Sequence, residues 1–196
     1  QNKLVFEKGV DLYYGKTNFH NRVKLNFDDR TGFDKAKLAA ENSDIVIMVL
    51  GEEGNQSGEG RSRTNIGLPG LQLELLKEIY KINQNIVLVV MSGRPLDLTW
   101  ADKNIPAIIQ AWHLGSKSGE AIAEVLYGDY NPSGKLTMSF PRNVGQVPIY
   151  YNFKNTGRPS TSIEQVTNSG YADVVNSPLY SFGYGLSYTN FKYSNL

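Results

Sequence analysis

Five charged side chains of one glycine-rich loop, residues 51–63, are the main candidates for chemistry in this sequence. They are Glu52, Glu53, Glu59, Arg61 and Arg63. Carboxyl groups placed in reach of a substrate can act as general acids or bases, and arginines can bind or orient them. Four glycines in the same loop allow backbone conformations that are closed to other residues.

The three carboxylates of the loop differ in position. The residue types alone favour a structural or surface role, rather than a catalytic one, for each of them. Glu52 and Glu53 directly follow an apolar run, where side chains often accept hydrogen bonds from neighbouring loops, so a structural role is favoured. Glu59 lies between Gly58 and Gly60 in the far part of the loop, where the backbone can approach another surface. By composition alone, an exposed surface acid is the favoured interpretation of Glu59, and a catalytic acid is the alternative.

The loop follows the apolar run Ile45–Leu50, which predicts a strand buried on both faces of a sheet. Pro69 and the apolar residues at 71, 75, 79 and 82 predict a helix directly after the loop. In open α/β sheets, ligands bind at the carboxyl ends of the strands. The loop therefore occupies the edge of the predicted sheet at which function is expected.

Alternating strand and helix patterns continue along the chain and predict an α/β fold with a mostly parallel sheet between two helical layers. This three-layer α/β/α sandwich is expected to cover residues 1–145. Further helices are predicted near 33–40, with Thr31 as N-cap, and at 118–127. Further strands are predicted at 4–6, 10–14, 86–91, within 105–112, and at 136–140.

Residues 146–196 have no helical period, yet they contain seven of the twelve tyrosines. Such a segment cannot form a core of its own. We expect an extended, irregular Tyr/Gly-rich tail that lies on the α/β body or leads toward a missing module.

The composition argues against several classes of partner. Twenty basic and nineteen acidic residues give a net charge of +1, so no nucleic acid and no membrane partner is expected. No apolar stretch approaches the ~20 residues that span a bilayer. The start of the chain lacks the pattern of a signal peptide, as a mature or excised fragment would. With no cysteine and two distant histidines, neither a metal site nor a cofactor is expected.

Motifs for other chemistries are missing or weak. The acidic loop matches no phosphate-binding pattern, and no G-x-S-x-G motif occurs. Arg94, after a predicted strand, is expected to bond carbonyls or carboxylates at the sheet edge. His113 and Trp112 follow another strand, and packing roles are favoured for both.

Seven segments of the chain, in order, resemble the C-terminal α/β sandwich domain of glycoside hydrolase family 3, and bacterial periplasmic β-glucosidases in particular. They are Ser-Gly-Glu-Gly-Arg-Ser-Arg at 57–63, Leu-Pro-Gly at 68–70, Met-Ser-Gly-Arg-Pro-Leu-Asp at 91–97, Gly-Asp-Tyr-Asn-Pro-Ser-Gly-Lys-Leu at 128–136, Phe-Pro at 140–141, Asn-Thr-Gly-Arg-Pro at 155–159 and Phe-Gly-Tyr-Gly-Leu-Ser-Tyr at 182–188.

The resemblance implies an exo-acting, retaining β-glycosidase, a β-glucosidase acting on terminal non-reducing β-D-glucosyl residues of glucosides or oligosaccharides. It implies that Glu59 is the general acid/base, with Arg61, Arg63 and Glu52 as substrate-binding or loop-supporting residues. The nucleophile would come from an N-terminal (β/α)8 barrel of the same protein, so the present chain alone is expected to be inactive. A fibronectin-III-like module would follow the tail, and the protein would be periplasmic or secreted.

Three alternatives stay open at this point. Glu52 or Glu53 could replace Glu59 as the acid/base. The chain could instead be a non-catalytic carbohydrate-binding or scaffold domain, which ligand titration would reveal. A flavodoxin-like nucleotide-binding protein is the third alternative, and the acidic loop argues against it.

Overall fold

A parallel sheet of three strands lies in the first half of the chain. The computed structural model describes residues 3–160, 163–164 and 166–195. The strands are β1 (Val46–Gly51), β2 (Ile86–Met91) and β3 (Ala107–Gln110), in the order β1-β2-β3. Val46 is opposite Ile86, and Val87 is opposite Ala107. The predicted mostly parallel sheet is thereby confirmed.

Helices alternate with these strands. They are α1 (Phe33–Glu41), α2 (Gln72–Ile82), α3 (Thr99–Asn104) and α4 (Ser118–Tyr127). The sequence patterns predict α1, α2 and α4, whereas the short α3 was not predicted. Helix α2 buries Leu75, Leu76 and Ile79 on one face, which is the spacing of an amphipathic helix. The alternation of helices with parallel strands confirms the α/β sandwich class.

The chain divides into two units, Gln1–His113 and Leu114–Leu196. The first unit contains the sheet, and its core includes the fully buried Leu76, Ile86 and Leu88. The second contains α4 and the tail. In it, residues 136–140 pair with 179–184 through backbone hydrogen bonds such as Phe140 N to Tyr180 O at 2.8 Å. The domain limits expected from the sequence, 1–145 and 146–196, stay a prediction.

Strand β1 is buried on one face only, so the prediction of burial on both faces is wrong. Met48 and Leu50 point into the core, whereas Ile47 and Val49 are 43% and 56% exposed. β1 is an outer strand of the described sheet, paired with β2 alone. An apolar run gives no alternation from which a half-exposed strand can be recognised.

Three short strands predicted from the sequence are not strands in the structure. Segments 4–6, 10–14 and 136–140 form at most isolated bridges, such as Tyr13 with Leu25 and Phe140 with Tyr180. The N-cap assignment was also wrong, because Gly32 rather than Thr31 precedes α1. A Cβ on Gly32 would lie 2.2 Å from the carbonyl oxygen of Gly9, so a close backbone approach requires glycine here.

Candidate active site

The loop after β1 and the loop after β2 meet because Gly51 lets the two strands approach closely. A Cβ on Gly51 would lie 1.7 Å from the carbonyl oxygen of Met91, and its φ of +147° also favours glycine. The buried side-chain amide of Gln72, on α2, holds the backbone of Gly51 at the end of β1. It accepts from Gly51 N and donates to Gly51 O, both at 2.7 Å. Sequence reasoning missed Gln72, since a glutamine in an amphipathic helix gives no signal of burial.

Glu52 is enclosed at the base of the loop and bonded on both carboxylate oxygens. Its side chain is 0% exposed. Nη1 of Arg63 lies 2.6 Å from Oε1, Nε of Arg94 lies 3.0 Å from the same oxygen, and the hydroxyl of Ser57 donates to Oε2 at 3.1 Å. All of these groups support the loop, so the geometry leaves Glu52 no open side for a substrate.

Arg94 joins the loop after β2 to the loop after β1. It bonds a carboxylate and backbone carbonyls at the edge of the sheet, as the sequence predicts. Besides Glu52, it donates to the carbonyl oxygens of Gln56 and, at 3.0 Å, of Arg61. The neighbouring Gly93 allows this contact, because a Cβ there would lie 2.2 Å from Oγ of Ser57. The two loops are therefore held as one body by a charged pair and backbone acceptors.

Glu53 caps the short 3-10 turn Gly54–Gln56. Its carboxylate accepts from the backbone N–H of Asn55 at 2.7 Å and from the hydroxyl of Thr17 at 3.0 Å. The amide oxygen of Gln56 accepts from Glu53 N in return, which completes a capping box. Glu53 is therefore engaged in holding the loop in its conformation.

Glu59 lies at the exposed tip of the loop, and its carboxylate differs from the other two. Within the part of the chain that the structure describes, it forms no hydrogen bond and no ion pair. Its neighbours Gly58 and Gly60 have φ of +105° and +68°, which form a turn that places Glu59 at its apex. Of the three carboxylates in the loop, Glu59 is the one left available to an outside group.

Both arginines of the loop bond other groups of the protein. Arg63 bonds Glu52 and, at 3.1 Å, the carbonyl oxygen of Gly67. Arg61 donates to the carbonyl oxygens of Phe19 and Asn21, and so ties the 17–21 segment to the Glu59 turn. The sequence gives no signal for this contact, which joins segments about forty residues apart.

Three further candidates, Trp100, Trp112 and His113, lie outside the loop, and the ring of His113 lies next to Gly93. Trp100 packs edge-on against Tyr80 of α2, with ring centroids 5.6 Å apart. Trp112 is half-buried and has a φ of +56°, and His113 is exposed. Within residues 3–160, 163–164 and 166–195, no group of three histidine or carboxylate side chains is placed to hold a metal ion.

The fold and loop together define an α/β sandwich domain that presents one unengaged carboxylate from the loop at the carboxyl edge of its sheet. Residues 7–188 match the sequence model described as glycosyl hydrolase family 3 C-terminal domain. This chain belongs to that family.

Relatives named as glycosidases match nearly the whole chain. A periplasmic beta-glucosidase of Salmonella typhimurium is 43% identical over 202 residues, which cover 99% of this chain and 26% of the relative. A beta-xylosidase of Formosa agariphila is 40% identical over 91% of this chain and 24% of its own length. The crystal structure of a beta-glucosidase from Listeria innocua in complex with gluconolactone superposes with a TM-score of 0.81 at 37% identity, over 87% of this chain and 24% of that one. The chain thus spans about a quarter of the length of these relatives.

Proposed function

We propose that this chain is the acid/base-bearing domain of a retaining, exo-acting β-glucosidase, and that Glu59 is its general acid/base. The substrate class is glucosides and oligosaccharides with a terminal non-reducing β-D-glucosyl residue. The observation that carries the proposal is the contrast within one loop. Glu52 and Glu53 are bonded to the protein, whereas Glu59 stands at a glycine-flanked apex with no partner among the described residues.

The proposed chemistry assigns two steps to Glu59. As a carboxylic acid it protonates the glycosidic oxygen while a nucleophile attacks the anomeric carbon. As a carboxylate it then removes a proton from the water that hydrolyses the glycosyl-enzyme intermediate. Retaining glycosidases place their two carboxyl groups about 5–5.5 Å apart. A carboxylate at the exposed apex of a loop can reach into a site built by another domain. That reach is needed if the second carboxyl group, about 5–5.5 Å away, belongs to that domain.

The nucleophile is proposed to come from a (β/α)8 barrel N-terminal to this domain in the same protein. The share of relatives' length that this chain covers, about a quarter, supports the existence of other domains in such proteins. Arg61, Arg63 and Glu52 are proposed to support the loop rather than to bind the sugar, because each is bonded within it or to the 17–21 segment. No cofactor is proposed.

The sugar preference is proposed as glucosyl because two of the relatives compared above are named beta-glucosidases. The relative named beta-xylosidase favours a second candidate, a β-xylosyl group at the same site. The ratio of kcat/KM for matched aryl β-glucosides and β-xylosides decides between them.

A periplasmic or secreted location is proposed from the name of the Salmonella relative. Over the described ranges, none of the helices is both long and apolar enough to pass through a membrane.

The test is Glu59→Ala in the full-length protein that contains this chain. General acid catalysis contributes roughly 10²–10⁴-fold, mainly where the leaving group needs a proton. We therefore expect large losses on oligosaccharides and small losses on aryl glucosides with acidic phenols. Added azide should restore turnover of the glycosyl-enzyme and yield a β-glucosyl azide, detected by mass spectrometry.

The matched control is Glu53→Gln, which alters the half-buried carboxylate of the loop but keeps an acceptor for Asn55 N. It should produce no azide adduct. Equal losses on all substrates for Glu59→Ala, with no azide product, would reject Glu59. An azide product from Glu53→Gln would assign the role to that residue instead.

A further inference from the structure

The C-terminal unit contains a cleft of about 660 Å³ that the proposed function does not use. It lies between residues 148–160 and 169–182, and the buried Ser139 and Gln146 also line it. Ligand sites in proteins typically have volumes of ~300–1,000 Å³ and are largely pre-formed. The cleft therefore has the size of a site for a small oligosaccharide.

Two side-chain amides, one buried and one half-buried, bond the backbone around the cleft. Gln146 is 2% exposed; it accepts from Arg142 N at 2.7 Å and donates to the carbonyl oxygen of Val175 at 2.8 Å. Asn176 accepts from Tyr171 N and donates to Ser169 O, both at 3.0 Å. The bond from Gln146 to Val175 joins two segments that line the cleft or flank it, and the Asn176 bonds close the turn at 169–176.

Aromatic rings make up much of the lining and are exposed at its rim. Tyr151 is 72% exposed, Phe153 69% and Phe182 47%. Tyr151 and Phe182 are stacked, with ring centroids 4.6 Å apart and planes at 28°. Exposed aromatic side chains in a concave site offer flat apolar surface at low conformational cost. The C–H faces of pyranose rings are complementary to such surfaces.

The polar groups of the cleft are neutral. Among the described residues that line it, none is Asp, Glu, Lys, Arg or His. The amide of Asn155 and the hydroxyl of Tyr151 form no hydrogen bond within the described ranges, so they are available to hydroxyl groups of a ligand. An ionic ligand would find no counter-charge on these residues.

We propose that this cleft binds a neutral oligosaccharide, with Tyr151 and Phe153 stacking on its pyranose rings and Asn155 bonding its hydroxyls. The site is built by the C-terminal unit alone and does not depend on Glu59. It goes beyond the proposed acid/base role, since binding here needs neither a nucleophile nor a proton donor. Affinity in the millimolar range is expected, because the site is open and few polar groups converge in it.

The experiment is isothermal titration of this chain with cellotriose, with trigalacturonic acid as a trisaccharide of similar size that carries carboxylates. Cellotriose should bind saturably, and trigalacturonic acid more weakly or not at all. Tyr151→Ala and Phe153→Ala should each weaken cellotriose binding about tenfold, the value of one well-placed aromatic contact. Tyr193→Ala is the matched control, an 83% exposed tyrosine that does not line the cleft, and should leave binding unchanged.

Circular dichroism is measured first to check that each variant is folded, as expected from the high exposure of Tyr151 and Phe153. If cellotriose does not bind saturably at concentrations up to about 10 mM, the proposal is overturned. A dissociation constant above that value corresponds to a binding free energy of only a few kcal/mol. Equal binding by folded wild type, Tyr151→Ala and Phe153→Ala would also overturn the proposal. The same holds if trigalacturonic acid binds as well as cellotriose. Loss of acid/base function in Glu59 variants bears on none of these outcomes.

Discussion

Glu52 and Glu59 are carboxylates of the same loop in opposite surroundings. Glu52 is enclosed with two arginines, whereas Glu59 is exposed and has no partner in the described ranges. A buried carboxylate that compensates two guanidinium groups contributes to stability, because its removal leaves those charges partly desolvated and unpaired. An exposed carboxylate without partners contributes little to stability and is free to do chemistry.

Stability should therefore separate the two glutamates. Glu52→Gln should lower the free energy of unfolding by about 3 kcal/mol, the scale of breaking a buried ion pair from one side. Glu59→Gln should change it by no more than about 0.5 kcal/mol, as surface substitutions usually do. Urea unfolding of this chain, followed by circular dichroism, measures both. Equal effects of the two substitutions would contradict the loop-supporting role of Glu52.

Strand β1 positions the loop while using only one of its faces. Met48 is 7% exposed and packs in the core, whereas its neighbour Ile47 is 43% exposed on the opposite face. Successive side chains of a strand point to opposite faces of the sheet, so the exposure of two adjacent residues gives the burial of the two faces.

Truncation of these two neighbours tests the one-sided burial of β1. Met48→Ala should destabilise this chain by about 2–5 kcal/mol, the range for large core residues. Ile47→Ala should cost clearly less, about 1 kcal/mol, because much of the removed surface is already in water. Thermal or urea unfolding gives the comparison. If Ile47→Ala cost as much as Met48→Ala, the exposed face would have to be covered.

The segment before α1 is tied to α2 by an ion pair between Arg30 and Glu74. Nε and Nη2 of Arg30 lie 2.6 and 2.7 Å from the two carboxylate oxygens. Hydrogen bonding by Arg30 lowers the pKa of Glu74 below its ordinary value of 4.5. The stabilising contribution is then present above the unfolded-state pKa and is lost as the pH falls through the folded-state value.

Glu74→Gln should accordingly change stability in a pH-dependent way. The difference in unfolding free energy between wild type and variant should be larger at pH 7 than at pH 3, where the carboxyl group is increasingly protonated. Glu59→Gln, which removes an exposed carboxylate that has no partner among the described residues, serves as the control for general charge effects. A difference that stays constant from pH 7 to pH 3 would show that the ion pair makes no linked contribution.

At the scale of the whole molecule, the chain is proposed to hold one of the two carboxyl groups that retaining hydrolysis needs. Its length is about a quarter of that of the compared relatives. Division of the two groups between domains would leave the present chain with an acid/base and no nucleophile.

The isolated chain should therefore hydrolyse aryl β-glucosides no faster than the blank. The measurement is release of nitrophenol from a nitrophenyl β-glucoside, with a Glu59→Ala preparation as control for contaminating enzymes. Sustained turnover by the wild-type chain that is absent from the Glu59→Ala chain would show that both groups are present here. The proposed division of the site between domains would then be wrong.

The three strands of the sheet and three of its four helices were predicted correctly in order and type from sequence patterns, whereas α3 was not predicted. The apolar runs gave β1 and β2, the spacing of apolar residues gave α2 and α4, and motif resemblance gave the family. The signals for strands and helices are local, and each can be seen within about ten to fifteen residues of chain, whereas the family resemblance adds up seven short motifs.

The partners of the charged groups of the loop could be read only from the folded structure. The pairing of Glu52 with Arg63 and Arg94, and the contacts of Arg61 with residues 19 and 21, join segments far apart in the chain. The one-sided burial of β1 likewise depends on which elements lie beside the strand. The apolar run itself does not indicate those neighbours. Burial and pairing are properties of neighbours in space, so Glu52 and Glu59 could be told apart by environment only after folding brought the arginines to one of them.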